Sequence, residues 1–527
     1  MPSKRQIVRS SVVVGFFSLL GGLTGILVET SIAAKLGLSR GSDTFYVAFT
    51  VPYILTTLLY ATGQFSLVPF FGTLEARHST EELWRGFSYA LNGVLAVMGT
   101  IALLGAAAAP WIIRGIAPGF TSAQTETATQ LSRWLFFLIV PAGAAEVFRS
   151  FLLSQRRFAL SSAAGFFRNT VVIAGVIGAF SRLGYYSIVL GYLAGYTLQF
   201  CILGVQILIS FPARYTLTLR GSGEAFRNLH GAGGAQLGGA LVWQVVVVVE
   251  RIIASFLPAG TLTALNYGMK IMTALSELLG GSVGTATLPA LSRAVARKAL
   301  REERKIFQDT LEISLVFVLP ASVFCVLLHR NIIKLVFERG HFTADATALL
   351  SMVFLYYSLS LLPYSFIRTL TFYFFARHEG TVFLRFATLL YASTVAFDLI
   401  YVGGLRMGAK GIPLGLLTAS LLTLGLAYRR NLVGLKLVFE RSLGWFTLKN
   451  IFAASLTALL IMGLRLYLRV PQTTLGNFLY LCLLCGAGSV VFFAILALTR
   501  AVPLAQMIAE LRGGEDSQSP GARGTIG

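Results

Sequence analysis

The chain has 527 residues, 55% of them hydrophobic and only 12% charged, with a mean hydropathy of +0.74. Soluble domains carry about 25% charged residues, so a water-soluble globular protein is excluded. The formal net charge of +21 does not indicate a nucleic-acid binder. No basic domain stands outside the apolar runs, and membrane proteins collect Lys and Arg in their cytoplasmic loops.

Residues 1–11 carry Lys4, Arg5 and Arg9 ahead of an apolar stretch. That order resembles a signal peptide, but the stretch runs past about 20 residues, so an uncleaved first helix is expected. Apolar runs then recur to the end of the chain. About fourteen are long enough to cross a hydrocarbon core: 11–36, 44–72, 86–113, 131–155, 158–181, 184–211, 233–257, 262–291, 309–328, 346–376, 381–404, 410–429, 447–468 and 475–499. Basic residues concentrate in alternate loops. One cluster holds Arg293, Arg297, Lys298, Arg301, Arg304 and Lys305, and another holds Arg429, Arg430, Lys436, Arg441 and Lys449. With these inside, both termini face the cytoplasm. The fold class is all-α and polytopic.

An internal repeat organises the spans. Val28-Glu29-Thr30-Ser31-Ile32-Ala33 in the first run is matched by Val249-Glu250-Arg251-Ile252-Ile253-Ala254 in the seventh. Pro69, Ala76, Arg77, Glu82 and Phe87 recur at one constant spacing as Pro289, Ala296, Arg297, Glu302 and Phe307. Phe120-Thr121 and Pro141 recur as Phe342-Thr343 and Pro363. Six spans separate the halves, so the repeats are parallel, and transporters built this way bind substrate between them. The expected division is a six-helix lobe over 1–215, a second over 230–432, two added helices over 433–503 and a cytoplasmic tail over 504–527. In the tail, Pro503 to Leu511 suits a short interfacial helix, and the stretch from Gly513 is polar and Gly-rich.

Charges inside hydrocarbon cost at least about 2.5–3.5 kcal/mol and normally face a cavity or a partner. Those present are Glu29, Glu146, Arg149, Arg168, Glu250, Arg251, Lys270, Arg368, Arg385 and Asp398. Glu146 and Arg149 stand three apart on one helix and suit a mutual pair. Arg168 and Arg385 suit snorkelling toward headgroups. Glu29 and Glu250 occupy the same repeat position, near the expected interface between the halves. They read either as a cation or proton site, or as structural partners, for example Glu250 with Lys270. Asp398 lies four residues after Thr394, so their oxygens share a helix face where a hard cation such as Na⁺ would find ligands, with Thr418 on the next helix as another. Lys270, Arg251 and Arg368 suit an anionic headgroup, phosphate above all. The four cysteines, Cys201, Cys325, Cys482 and Cys485, fall in apolar runs without His or acidic neighbours and read as packing residues.

Three segments carry a family resemblance. The stretch Gly37-Leu-Ser-Arg-Gly-Ser-Asp43-Thr-Phe-Tyr-Val-Ala-Phe49, with Val51-Pro52, Gly63-Gln-Phe-Ser66 and Val68-Pro69, resembles the MurJ/MviN lipid II flippases. So do Ala254-Ser-Phe-Leu-Pro-Ala-Gly260 with Leu288-Pro-Ala-Leu-Ser292, and Gly340-His-Phe-Thr343. The similarity extends over most of the chain, within the multidrug/oligosaccharidyl-lipid/polysaccharide exporter superfamily. It implies a transporter of the bacterial inner membrane, serving peptidoglycan biosynthesis. Such a protein carries a polyprenyl-pyrophosphate-linked glycan from the cytoplasmic to the outer leaflet by alternating access, coupled to a cation or to the membrane potential. Cell-envelope synthesis machinery is an expected partner, and no cofactor is expected beyond Na⁺ as a coupling ion.

The carry-over is uneven. The family's early arginine in helix 1 falls on Gly22, its Arg-Asp pair on Val28-Glu29 and its helix 2 arginines on Thr56 and Thr57. The helix 8 arginine falls on Lys270 and the aspartate before it on Met269. Headgroup contacts are therefore expected from Lys270, Arg251, Arg368 and Glu29, and the sodium site from Glu250, Thr394, Asp398 and Thr418. Another lipid-linked glycan, or a drug in a cation-coupled exporter, is the alternative cargo. A polyprenyl-dependent glycosyltransferase lacks support, since the first outer loop offers only Asp43 as an acid. A non-transporting scaffold for envelope assembly is the remaining class.

Overall fold

The computed structural model describes residues 4–77, 79–212, 214–219, 234–430, 441–471 and 473–499. Lys436, the helix expected from Pro503 to Leu511 and the tail from Gly513 lie outside them. The described residues form fourteen long helical segments. The first half holds α1 (Lys4–Leu36), α2 (Arg40–Ala76), α3 (Thr80–Ile116), α4 (Ser122–Ser154), α5 (Phe158–Leu183) and α6 (Tyr185–Ser210). The second holds α7 (Gly234–Ser255), α8 (261–296), α9 (Leu300–Phe337), α10 (Ala344–Ala376), α11 (Gly380–Gly404) and α12 (Gly408–Arg429). Two more follow, α13 (Arg441–Tyr467) and α14 (Thr474–Leu498), which pack on each other and on α9.

Among the described residues, twelve of these segments qualify as membrane spans by length and apolarity, and α8 falls short. In α8 the reason is composition: Asn266, Lys270 and Glu277 stand among many Gly, Ser and Thr residues. α3 and α9, with 37 and 38 residues, run well past the apolar stretches 86–113 and 309–328 that marked them. Their charged first turns, Glu81-Glu82 and Glu302-Glu303, continue the helix outside the hydrocarbon.

The repeat is visible in the backbone. Thr121 and Thr343 cap the N-termini of α4 and α10, each accepting from a backbone N–H three residues on. Arg156 and His378 both take positive φ (57° each), as do Gly184 (54°) and Arg406 (53°). Each pair has the spacing that separates Pro141 from Pro363. The halves differ at that proline. α4 breaks at Phe137 and Leu138, whereas α10 runs unbroken through Pro363. A proline inside a helix has no N–H to give and crowds the carbonyl four residues back.

Two further irregularities shape the region between the halves. π-helical turns interrupt α2 at Gly63–Leu67 and α8 at Glu277–Gly281. Such turns rotate the side chains that follow and recur at functional sites. The largest apolar cluster joins both halves, through Val28, Phe45 and Val47 of the first and Leu262, Leu265 and Phe337 of the second.

Candidate functional site

At one end, where α1 turns into α2 and α7 into α8, the halves are sealed by backbone and polar contacts. Asp43, buried in the first turn of α2, accepts from the Gly260 N–H (2.6 Å), the Thr263 N–H (2.8 Å) and the Thr263 hydroxyl (2.7 Å). It thus satisfies orphan donors at the start of α8 with a negative charge, which a helix N-terminus favours. The Gly119 N–H donates to Ser255 Oγ at 3.1 Å, and the His341 N–H to the Ala34 carbonyl at 2.8 Å. Contact here is close enough to need glycine. Gly260 (φ +83°) would place a Cβ 2.8 Å from the Leu38 carbonyl carbon, and Gly340 (φ +59°) faces Ala34. Parts of all three segments that carried the family resemblance meet at this seam, through Leu38, Asp43, Ser255, Gly260, Gly340 and His341. Asp43, expected in a loop, is part of the seal.

One turn deeper, the Tyr46 and Tyr267 hydroxyls meet across the halves at 3.1 Å. Below them opens a cavity of about 560 Å³. Its wall is aromatic, with Tyr53, Trp243, Tyr364 and Tyr391 among the lining residues. At its far end Phe65, in the π-turn of α2, faces Phe375 of α10 across the halves (ring centroids 6.1 Å apart). At 1.5 Å per residue, Phe65 lies about 33 Å along α2 from Asp43, so the cavity is bracketed by a polar seam and an aromatic contact.

Four of the expected residues, Glu250, Arg251, Lys270 and Arg368, line this cavity. Lys270 forms an ion pair with Glu29 of the opposite half, whose other oxygen accepts from the Tyr46 hydroxyl. The alternative pairing of Lys270 with Glu250 is therefore not the one made. Arg368 pairs with Glu277. Arg251 donates to Asn266 Oδ1 (2.8 Å) and to the Leu262 carbonyl (3.3 Å).

Of the expected sodium ligands, Glu250 lines the cavity beside Arg251, while Thr394, Asp398 and Thr418 lie outside its lining, on α11 and α12. Asp398 is fully buried, and neither carboxylate oxygen has a hydrogen-bond partner among the described residues. It lies close enough to Glu250 for the two charges to interact. Its carboxylate rests against Gly415, which leaves no room for a Cβ. The Thr394 hydroxyl donates to the Leu390 carbonyl (2.9 Å) and that of Thr418 to Leu414 (2.9 Å), so each keeps lone pairs free to accept. Tyr357 is a residue the sequence reading missed. Its buried hydroxyl has no hydrogen-bond partner among the described residues and interacts electrostatically with Glu250 and Asp398. The two orphaned Asp398 oxygens, with Glu250 nearby, suit a hard cation, which takes oxygen ligands. The Tyr356-Tyr357 pair in an apolar run held no signal for this.

In the first half, Glu146 and Arg149 pair with each other (2.6 Å), and Arg149 stacks over Tyr60. Arg168 does not snorkel to a helix end. It stands in the body of α5, against the Tyr196 ring and Gln199 Oε1 (3.3 Å).

Residues 32–484 match the family model described as "Lipid II flippase MurJ". A "Probable lipid II flippase MurJ" of Rhizobium tropici is 27% identical over 413 residues, which cover 75% of each chain. Among solved structures, "Lipid II flippase MurJ, inward closed conformation" superposes with TM-score 0.77 at 20% identity, covering 94% of this chain and all of that one. An inward-facing multidrug transporter of the MATE family superposes with TM-score 0.67 at 13% identity, covering 82% of this chain and 99% of the other. The latter two likenesses establish the fold, and the family model, matched over most of the sequence, establishes membership. The chain belongs to the lipid II flippase MurJ family.

Proposed function

We propose that this protein carries lipid II, a polyprenyl-pyrophosphate-linked glycan, from the cytoplasmic to the outer leaflet by alternating access, without catalysing a reaction. The observation that carries this reading is the cavity between the halves, lined by Lys270, Arg251 and Arg368 and closed at one end by the Asp43 seam. Cations at membrane depth suit a diphosphate, and the aromatic wall suits sugar faces and isoprene units. The seam is the outer gate, both termini are cytoplasmic, and loading follows parting of Phe65 from Phe375. A second reading, a different lipid-linked glycan as cargo, is favoured by Gly22, Thr56 and Thr57, where arginines would otherwise grip phosphate. Vesicles bearing fluorescent lipid II and other undecaprenyl-linked sugars discriminate the two. Movement of lipid II is the expected result, and no movement of any of these lipids overturns both.

Coupling to Na⁺ is assigned to Glu250, Thr394, Asp398 and Thr418, with Tyr357 as an added ligand. The support is the pair of orphaned Asp398 oxygens in a buried site. The expected outcome for Asp398→Ala is transport that no longer responds to a Na⁺ gradient, measured as initial rates in vesicles with and without the gradient. An unchanged response rejects the assignment.

A further inference from the structure

The protein already answers each cation that lines its cavity. Arg368 is paired with Glu277 of the same half, and Arg251 is held by Asn266 and the Leu262 carbonyl. Lys270 is different, because its partner Glu29 comes from the other half. Glu29 is 7% exposed and receives two donors, the Lys270 ammonium and the Tyr46 hydroxyl. The Lys270 side chain keeps 32% exposure, on the cavity side. An ammonium is a point charge with three donors and accepts anionic oxygens from any direction. A phosphate oxygen arriving from the cavity therefore meets a cation whose charge a carboxylate already balances.

We infer that Glu29 is an internal counter-ion that occupies Lys270 in place of the substrate's phosphate and yields it when the substrate binds. This rests on the pyrophosphate-lipid reading above. Two consequences follow from the geometry. First, the exchange breaks the ion pair that joins α1 to α8, so anion binding itself loosens the contact between the halves. Second, the incoming anion must outcompete a carboxylate. A diphosphate does so more readily than a monophosphate, and Glu29 therefore sets a charge threshold on the cargo. Glu29 acts through Lys270 and is a positioning and specificity-determining residue.

The test uses the full-length protein in nanodiscs, with polyprenyl diphosphate and polyprenyl monophosphate as probes. Glu29→Gln is expected to tighten diphosphate binding about tenfold and to narrow the preference for diphosphate over monophosphate. Glu29→Asp, which keeps the charge on a shorter side chain, should tighten diphosphate binding less than Glu29→Gln does. In a Lys270→Ala background, Glu29→Gln should no longer tighten binding. If Glu29→Gln fails to fold, Tyr46→Phe, which removes the donor that would remain to a displaced Glu29, should weaken diphosphate binding, and unchanged binding in that variant overturns the inference. Unchanged or weaker diphosphate binding in the folded Glu29→Gln variant overturns the inference while leaving the transport reading standing. Absence of diphosphate binding by the wild type overturns both.

Discussion

Asp43→Asn is expected to open the seam between the halves and to reduce transport at least tenfold. The carboxylate offers two acceptor oxygens, and three donors use them: the Gly260 N–H, the Thr263 N–H and the Thr263 hydroxyl. Asparagine keeps one oxygen and, in either orientation, turns its NH₂ group toward a backbone N–H that cannot accept from it. The charge that complements the start of α8 is lost as well. Charge-assisted hydrogen bonds contribute about 1.5–3 kcal/mol each, so losing one or two of them costs about 3 kcal/mol at a buried position. A cysteine in place of Thr261, which is buried beside the seam, reports the opening in a chain otherwise free of cysteine. Maleimide should label it at least tenfold faster in the Asp43→Asn variant. Equal labelling rates with full transport would remove Asp43 from the gate.

Lys270→Ala is expected to abolish transport, and its effect on stability separates two contributions. Removing the ammonium leaves Glu29 buried with the Tyr46 hydroxyl as its remaining donor. Breaking one side of a buried ion pair costs about 3–5 kcal/mol, because the other charge stays in place without compensation. The single variant should therefore melt lower and transport nothing. Adding Glu29→Gln removes the stranded charge and should restore most of the melting temperature but none of the transport. Recovery of transport in the double variant would show that Lys270 serves only to neutralise Glu29. Vesicle flipping rates and thermal unfolding of the purified proteins decide between these results.

The charges that line or border the cavity are legible in the sequence, and the physical reason is the cost of charge in hydrocarbon. Glu29, Glu250, Lys270, Arg368 and Asp398 were legible because an ionisable residue in an apolar run has few reasons to be there. How they pair was not legible. Lys270 sits 20 residues after Glu250 in the chain and was as easily matched with it as with Glu29. Only the parallel descent of α2 and α8 from the seam brings Lys270 to α1. Arg168 shows the opposite error: its place in α5 was read as a helix end, yet the helix continues for ten residues before it.

Asp43 and Tyr357 mark what pattern alone misses. Asp43 looked like a loop acid because it stands beside Gly37, Ser39 and Gly41, where turn residues cluster. Its role emerges once the start of α8, more than 200 residues later, is placed against it. Tyr357 is one aromatic among many in the sequence, and only the fold brings it within electrostatic reach of Glu250 and Asp398. By itself the sequence determined the membrane class, the two repeats with an added helix pair, and which charges lie within the spans, because burial in lipid constrains composition and period locally. Tertiary structure decided which carboxylate pairs with which basic side chain, where the halves are latched, and which acids come together. Those depend on distances between helices, and no local rule carries that information.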